Sequence, residues 1–181
     1  VFLAIAVRPA DAAGQPPESL PPATQARLEL NDGDVVVFTG GTNAVMAQRY
    51  AYLETLLTAA HLDRRLRFRN MAWQADTVYR QQRPLNFGDW DQQLGRVGAN
   101  VVCCWFGQME SLDGPEQIAE FVTAYEQLLD TFLEHADRAV LISPVRFERT
   151  ADALPDFAVH NRSAEQYSRA IRDLAQRRGA T

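Results

Sequence analysis

Only a few side chains in this sequence pair a reactive group with a spacing that chemistry can use. Gly40-Gly41 stands just before a helical pattern, and glycine amides at a helix start can hold an anion. Trp73, Trp90 and Trp105 offer flat faces on which a sugar can stack. Trp105 lies in an apolar run and reads as core, so Trp73, in a post-strand segment, is the better binding candidate. Cys103 and Cys104 are adjacent. Neighbours in a strand point to opposite faces, so they are poorly placed to bridge each other, and no second Cys/His pair completes a metal site. They read as two small buried hydrophobes. His61 and His135 fall near helix C-termini, where a cation favours the dipole. Glu110 and Ser111 follow an apolar run and suit a cap or a loop tie better than catalysis. Neither G-x-x-x-x-G-K-[ST] nor G-x-G-x-x-G occurs, so nucleotide binding has no support. No cofactor and no metal is expected.

The elements that must position these residues alternate. Val35-Val36-Val37-Phe38 is a continuous apolar run after the turn signal Asn31-Asp32-Gly33-Asp34, as for a strand buried on both faces. The turn Thr39 to Asn43 opens a helix to about Ala60, with Val45, Tyr52, Leu53, Leu56 and Leu57 on its apolar face. Leu66 to Arg69 reads as an edge-like strand, Trp90 to Val97 as a short helix, and Asn100 to Phe106 as the most apolar strand. A helix starting at Pro115 runs to about His135, Ala139 to Ser143 is a fourth strand, and Asn161 caps a last helix ending near Arg178. The order βαβαβαβα implies an α/β fold, a three-layer α/β/α sandwich on a parallel sheet. Ligands of such sheets sit beyond the carboxyl ends of the strands. The segments to search are therefore Thr39–Asn43, Asn70–Thr77, Gly107–Gly114 and Pro144–Thr150.

The totals bound the class. The chain has 181 residues, 46% of them hydrophobic, enough for one compact domain with a core. Net charge is −5 and every basic residue is Arg, with no basic stripe to suggest nucleic acid or an anionic membrane. Val1 to Val7 is an apolar run too short to span a bilayer, followed by Ala10 and Ala12 spaced as in a cleavage site. Residues 1–12 read as a signal-peptide remnant, which implies export. Residues 13–30 read as a Pro- and Ala-rich linker and residues 31–181 as the folded domain.

Three post-strand blocks carry a resemblance. Val36-Val-Phe-Thr-Gly-Gly-Thr42 looks like a strand followed by a G-D-S turn. Asn70-Met-Ala-Trp-Gln-Ala-Asp-Thr77 is similar to N-x-G-x-x-G-D-T. Phe106-Gly-Gln-Met-Glu-Ser111, with Arg83-Pro-Leu-Asn-Phe-Gly88 before it, looks like a secreted branch in which G-x-N-E-S is usual. Together, and in this order, they resemble the SGNH (GDSL-type) hydrolases over roughly residues 30 to 180. The resemblance implies a serine nucleophile on a sharp strand-to-helix turn, Gly and Asn donors to the oxyanion, and a late D-x-x-H base. It also implies an acylated carbohydrate or lipid ester as ligand.

Each catalytic position departs from that pattern. Thr42 occupies the nucleophile position, and its extra methyl crowds attack and stiffens χ1. Gly41 replaces the Asp before it. Ala75 stands at the oxyanion Gly and keeps its backbone N–H, so this change is mild unless the turn needs positive φ. Met109 stands at the oxyanion Asn and has no N–H to donate. Gly41, Asn43, Trp73 and Glu110 are the candidate binding residues. Asp156 and His160 are the nearest substitute for D-x-x-H, with spacing one too long and a place before the last helix. The chain stops at Thr181, where a fifth strand and that motif should follow, so the sheet is expected to lack its last strand. Three readings stay open: an ester hydrolase working weakly through Thr42, a secreted binding or scaffold module on a hydrolase fold, and a fragment with no independent function.

Overall fold

A computed structural model describes residues 28–81, 87–148 and 156–181. The apolar run at 1–12, most of the proposed linker and residues 83–86 of the secreted-branch signature lie outside the described residues.

Strand β1 (Val35–Gly40) is buried along its whole length because it is paired on both sides and covered on both faces. It pairs with β2 (Arg67–Asn70) and with β3 (Val101–Trp105), and β3 pairs with β4 (Arg138–Leu141). All pairings are parallel and the order is β2-β1-β3-β4. The register sets Val36 between Phe68 and Val101, and Val102 against Ala139.

Alternation along the strands sorts the side chains into two layers. Val35, Val37, Val102 and Cys104 join the larger core with Leu94 of α3 (Trp90–Val97), Phe121, Tyr125, Leu129 and Phe132 of α4 (Ile118–Leu133), and Tyr167, Ile171 and Leu174 of α5 (Ala158–Arg178). Val36, Phe38, Val101 and Cys103 face the other way, against Leu30 and, partly buried, Leu53 and Leu57. The two cysteines are thus free, buried and on opposite faces; burial pushes the Cys103 thiol up to about 12 and raises that of Cys104 too.

The long first helix expected from the sequence is two, α1 (Thr42–Tyr50) and α2 (Tyr52–Ala60), broken at Ala51, which adopts φ +51°. Of its expected apolar face, Leu53 and Leu57 pack, whereas Tyr52 and Leu56 are exposed. The break lets α2 turn one pair of leucines onto the Phe38–Phe68 layer and leaves the others in solvent. The last helix starts at Ala158, so Asn161 lies inside it rather than capping it. Asn161 instead accepts from Phe147 N (2.8 Å) and donates to Phe147 O (3.0 Å), pinning the post-β4 segment to α5. Pro115 opens a short 3-10 turn before α4, not α4 itself.

Thr181 follows α5 onto the outer edge of β4. Its N–H donates to Ala139 O (3.1 Å) and its carbonyl accepts from Leu141 N (2.8 Å), the hydrogen-bond pair of a parallel bridge around Val140. Among the described residues the sheet has four strands, and no helix is long and apolar enough to cross a membrane.

Candidate functional site

The four segments beyond the strand ends meet. The post-β2 segment runs beside β1, with Met71 N donating to Phe38 O (2.8 Å) and Trp73 N to Gly40 O (3.2 Å). Asn70 fixes that course: its Nδ2 donates to Ala44 O (2.9 Å) and its Oδ1 accepts from Ala72 N (2.9 Å). Gln108, after β3, accepts through one oxygen from Asn43 Nδ2 (3.1 Å) and from Val145 N (2.8 Å). One side chain therefore joins the loops after β1, β3 and β4. The amide orientation follows from the Val145 donor, which requires an oxygen there.

Glu110 joins the loops after β2 and β3. Its carboxylate accepts from Val78 N (2.8 Å) and Gly107 N (2.8 Å), and the residue is 2% exposed. Burial raises its pKa above the usual carboxylate value, partly offset by hydrogen bonds from its own, the Val78 and the Gly107 backbone N–H. Ser111 O accepts from Ser163 Oγ (2.6 Å), which adds α5 to the same assembly. Glu110 ties two loops through its side chain, as its type suggested, whereas Ser111 meets α5 through its backbone carbonyl.

Around Thr42 the backbone is tightly confined. Gly40 has φ +134°, and a Cβ there would lie 2.3 Å from Trp105 O. A Cβ on Gly41 would lie 2.8 Å from Asp76 O. This close approach excludes an aspartate at position 41 without a backbone shift. Thr42, the first residue of α1, is exposed. Met109 is also exposed, at 45%, and brings a thioether where the resemblance implies an amide donor. Ala75 has φ +64°, so this turn does require a left-handed residue. Substituting glycine for Ala75 removes that strain, and we expect a gain of about 0.5–1 kcal/mol in a denaturant titration. An unchanged or lower midpoint would show that the turn holds alanine without strain.

The other candidates separate from this site. Asp156 Oδ1 accepts from Ala158 N (2.9 Å) at the start of α5, while the His160 ring packs near Phe147 and Phe157. Neither arrangement orients an imidazole with a carboxylate. His135 Nε2 lies 3.2 Å from Asp91 Oδ1, next to Glu134, on the surface between α3 and α4. His61 terminates α2. Trp90 packs edge-on against Phe132, with ring centres 4.9 Å apart, and Trp105 is part-buried in β3. Trp73 is 44% exposed and meets Phe87 edge-to-face. Asn70 stood at the head of the second block, whereas the type and position of Gln108 announced nothing, because its partners come from other loops.

No protein-family model matches the chain, and no curated protein matches it. Solved structures do. A gut microbial diltiazem-metabolizing enzyme superposes with a TM-score of 0.63 at 19% identity, covering 86% of this chain and 37% of that chain. An acetyl xylan esterase gives 0.58 at 15% identity, covering 81% and 74%. A GDSL-like lipase from Parabacteroides merdae gives 0.56 at 13% identity, covering 84% and 77%. The chain thus spans little more than a third of the first protein and about three quarters of the other two. It has the fold of the SGNH (GDSL-type) hydrolases.

Proposed function

We propose that the chain is an ester-hydrolase-like domain that binds an acylated carbohydrate or lipid ester beyond the strand ends, with catalysis weak or absent. The observation that carries this reading is the joining of four loops beside the start of α1, through Asn70, Gln108 and Glu110, with Met109 at the donor position. Convergence of this kind supports a ligand site at the C-terminal edge of a parallel sheet. The acetyl xylan esterase among the structural neighbours supports a carbohydrate ester as the ligand. Loss of one oxyanion donor costs roughly 10²–10³ in rate in enzymes that keep the rest of their machinery. Here the nucleophile position is altered as well.

A non-catalytic binding module is the second reading, favoured by the Gly41–Asp76 approach, which closes the acidic position of the turn. Hydrolysis of short-chain p-nitrophenyl esters by the folded protein and by Thr42→Ala separates the two. Slow turnover that disappears in Thr42→Ala would establish an esterase using the threonine hydroxyl. Rates equal to background in both proteins, with saturable binding of an acetylated oligosaccharide, would establish the binding module. Turnover unchanged by Thr42→Ala would overturn the assignment of Thr42.

A further inference from the structure

Away from the loops around Thr42, one group of side chains on the far helices carries metal-binding chemistry. Asp91 stands in the first turn of α3, and Glu134 and His135 stand at the C-terminal end of α4. His135 Nε2 lies 3.2 Å from Asp91 Oδ1, and one ligand atom from each of the three residues lies within 4.8 Å of the other two. Among the described residues this is the one such group. Asp91 and His135 are 44 residues apart in sequence, so no local motif marks them.

We infer that this group is a binding site for a divalent transition-metal ion, zinc in the first instance, held between α3 and α4. Distance is the first argument. Zinc takes imidazole nitrogen and carboxylate oxygen at about 2.1 Å, so two ligand atoms in tetrahedral geometry stand about 3.4 Å apart. The His135–Asp91 separation already fits that figure. Glu134 is exposed, and rotation of its side chain can close the remaining gap.

Charge is the second argument. Two carboxylates share this spot with the end of α4, a 16-residue helix whose dipole places partial negative charge there. No arginine makes an ion pair with Asp91 or Glu134 among the described residues. A protonated imidazole balances one of the two carboxylates, whereas a divalent cation balances both.

Ligand type sets the class of ion. Mg²⁺ and Ca²⁺ favour oxygen ligands alone, while an imidazole nitrogen beside carboxylates suits zinc and its neighbours. A neutral His135 with its proton on Nδ1 turns the Nε2 lone pair toward the ion. Three protein ligands leave the fourth position of a tetrahedral ion to water. The His135 side chain is 27% exposed and that of Asp91 55%, so the ion can enter directly from solvent. The competing soft ligands, Cys103 and Cys104, are buried in the sheet.

An ion held here fastens the first turn of α3 to the end of α4, beside the edge-on contact of Trp90 with Phe132. Nothing in this site depends on the role of Thr42.

The probe is Zn²⁺, titrated by calorimetry into the full chain after removal of metal with a chelator, in buffer without phosphate. The expected result is one ion per chain with a dissociation constant on the order of 10 µM or tighter. Loss of a ligand costs at least as much as loss of a group that only orients one, which is about 10- to 100-fold. His135→Ala, Asp91→Asn and Glu134→Gln should therefore each weaken binding about tenfold or more. His61→Ala and His160→Ala should leave it unchanged, and Mg²⁺ should bind at least about tenfold more weakly than Zn²⁺. All three ligands lie at the surface, so the metal-free variants should melt within about 2 °C of wild type, which shows them folded. No saturation by about 1 mM Zn²⁺, undiminished binding in His135→Ala, or Mg²⁺ binding as tightly as Zn²⁺ would overturn the inference. Unchanged affinity in Asp91→Asn would do the same, because the ion would then not join the two helices.

Discussion

Gly40→Ala should lower the stability of the domain by about 4 kcal/mol or more, enough to drop the melting temperature by roughly 10 °C. Two effects add. The residue sits at φ +134°, a conformation that L side chains rarely adopt, and the new Cβ would meet Trp105 O at 2.3 Å. The obstacle is backbone in the neighbouring central strand, paired in register with Gly40 itself, so it cannot rotate aside as a side chain would. Either β1 and β3 separate at their C-terminal ends or the Thr42 turn moves. Gly41→Asp should cost less, about 2–3 kcal/mol, because Gly41 has an ordinary negative φ and a single clash with Asp76 O at 2.8 Å. It recreates the acidic position of a G-D-S turn and is nonetheless expected to gain no esterase activity. Thermal melts by circular dichroism check both variants. A Gly40→Ala protein melting within about 2 °C of wild type would show that the strand ends are looser than these distances require.

Much of this fold could be read from the sequence, and the parts that could not share a cause. β1 and β3 announced themselves as unbroken apolar runs because both of their faces are covered, so no polar residue interrupts them. The C-terminal helices were placed from Pro115 and Asn161 as start signals; both helices are present, but they begin at Ile118 and Ala158 instead. The break at Ala51 was not legible, since Gln48 to Tyr52 contains neither Gly nor Pro, the residues that usually mark a left-handed helix end. Tyr52 and Leu56 were assigned to a buried face because periodicity counts residue type, and α2 covers too little of the sheet to bury them. At the site, Thr42, Ala75 and Met109 could be placed from their blocks, whereas Gln108 could not. Its value lies in contacts with Asn43 and Val145, 65 and 37 residues away in sequence. Hydrogen bonds between loops are a property of the assembled sheet, and a single sequence carries no local trace of them.

Removal of the Glu110 carboxylate should be the other large perturbation. Glu110→Ala would strand the Val78 and Gly107 N–H groups in a buried setting and open a void behind them. Each stranded donor costs roughly 1–3 kcal/mol, so a total loss of about 3–5 kcal/mol is expected. Glu110→Gln keeps one acceptor and turns an NH₂ toward the other donor, which makes it milder and gives a control without ionisation. Two influences oppose each other at this carboxyl. Burial disfavours the charge, and the backbone N–H groups favour it; burial is the larger, so the folded-state pKa is raised. The folded protein then holds a proton that the unfolded chain releases, through the window from the ordinary carboxylate range up to the raised value. Stability linked to this group is therefore greatest in acid and declines as pH rises through that window. The difference in unfolding free energy between wild type and Glu110→Gln, measured by denaturant titration from acid to neutral pH, should shrink as pH increases. A difference that grows with pH would mean that the two N–H bonds outweigh burial. Glu110 would then be a carboxylate anchored in its charged form, and the loops beside Thr42 would be held together more tightly at neutral pH than in acid.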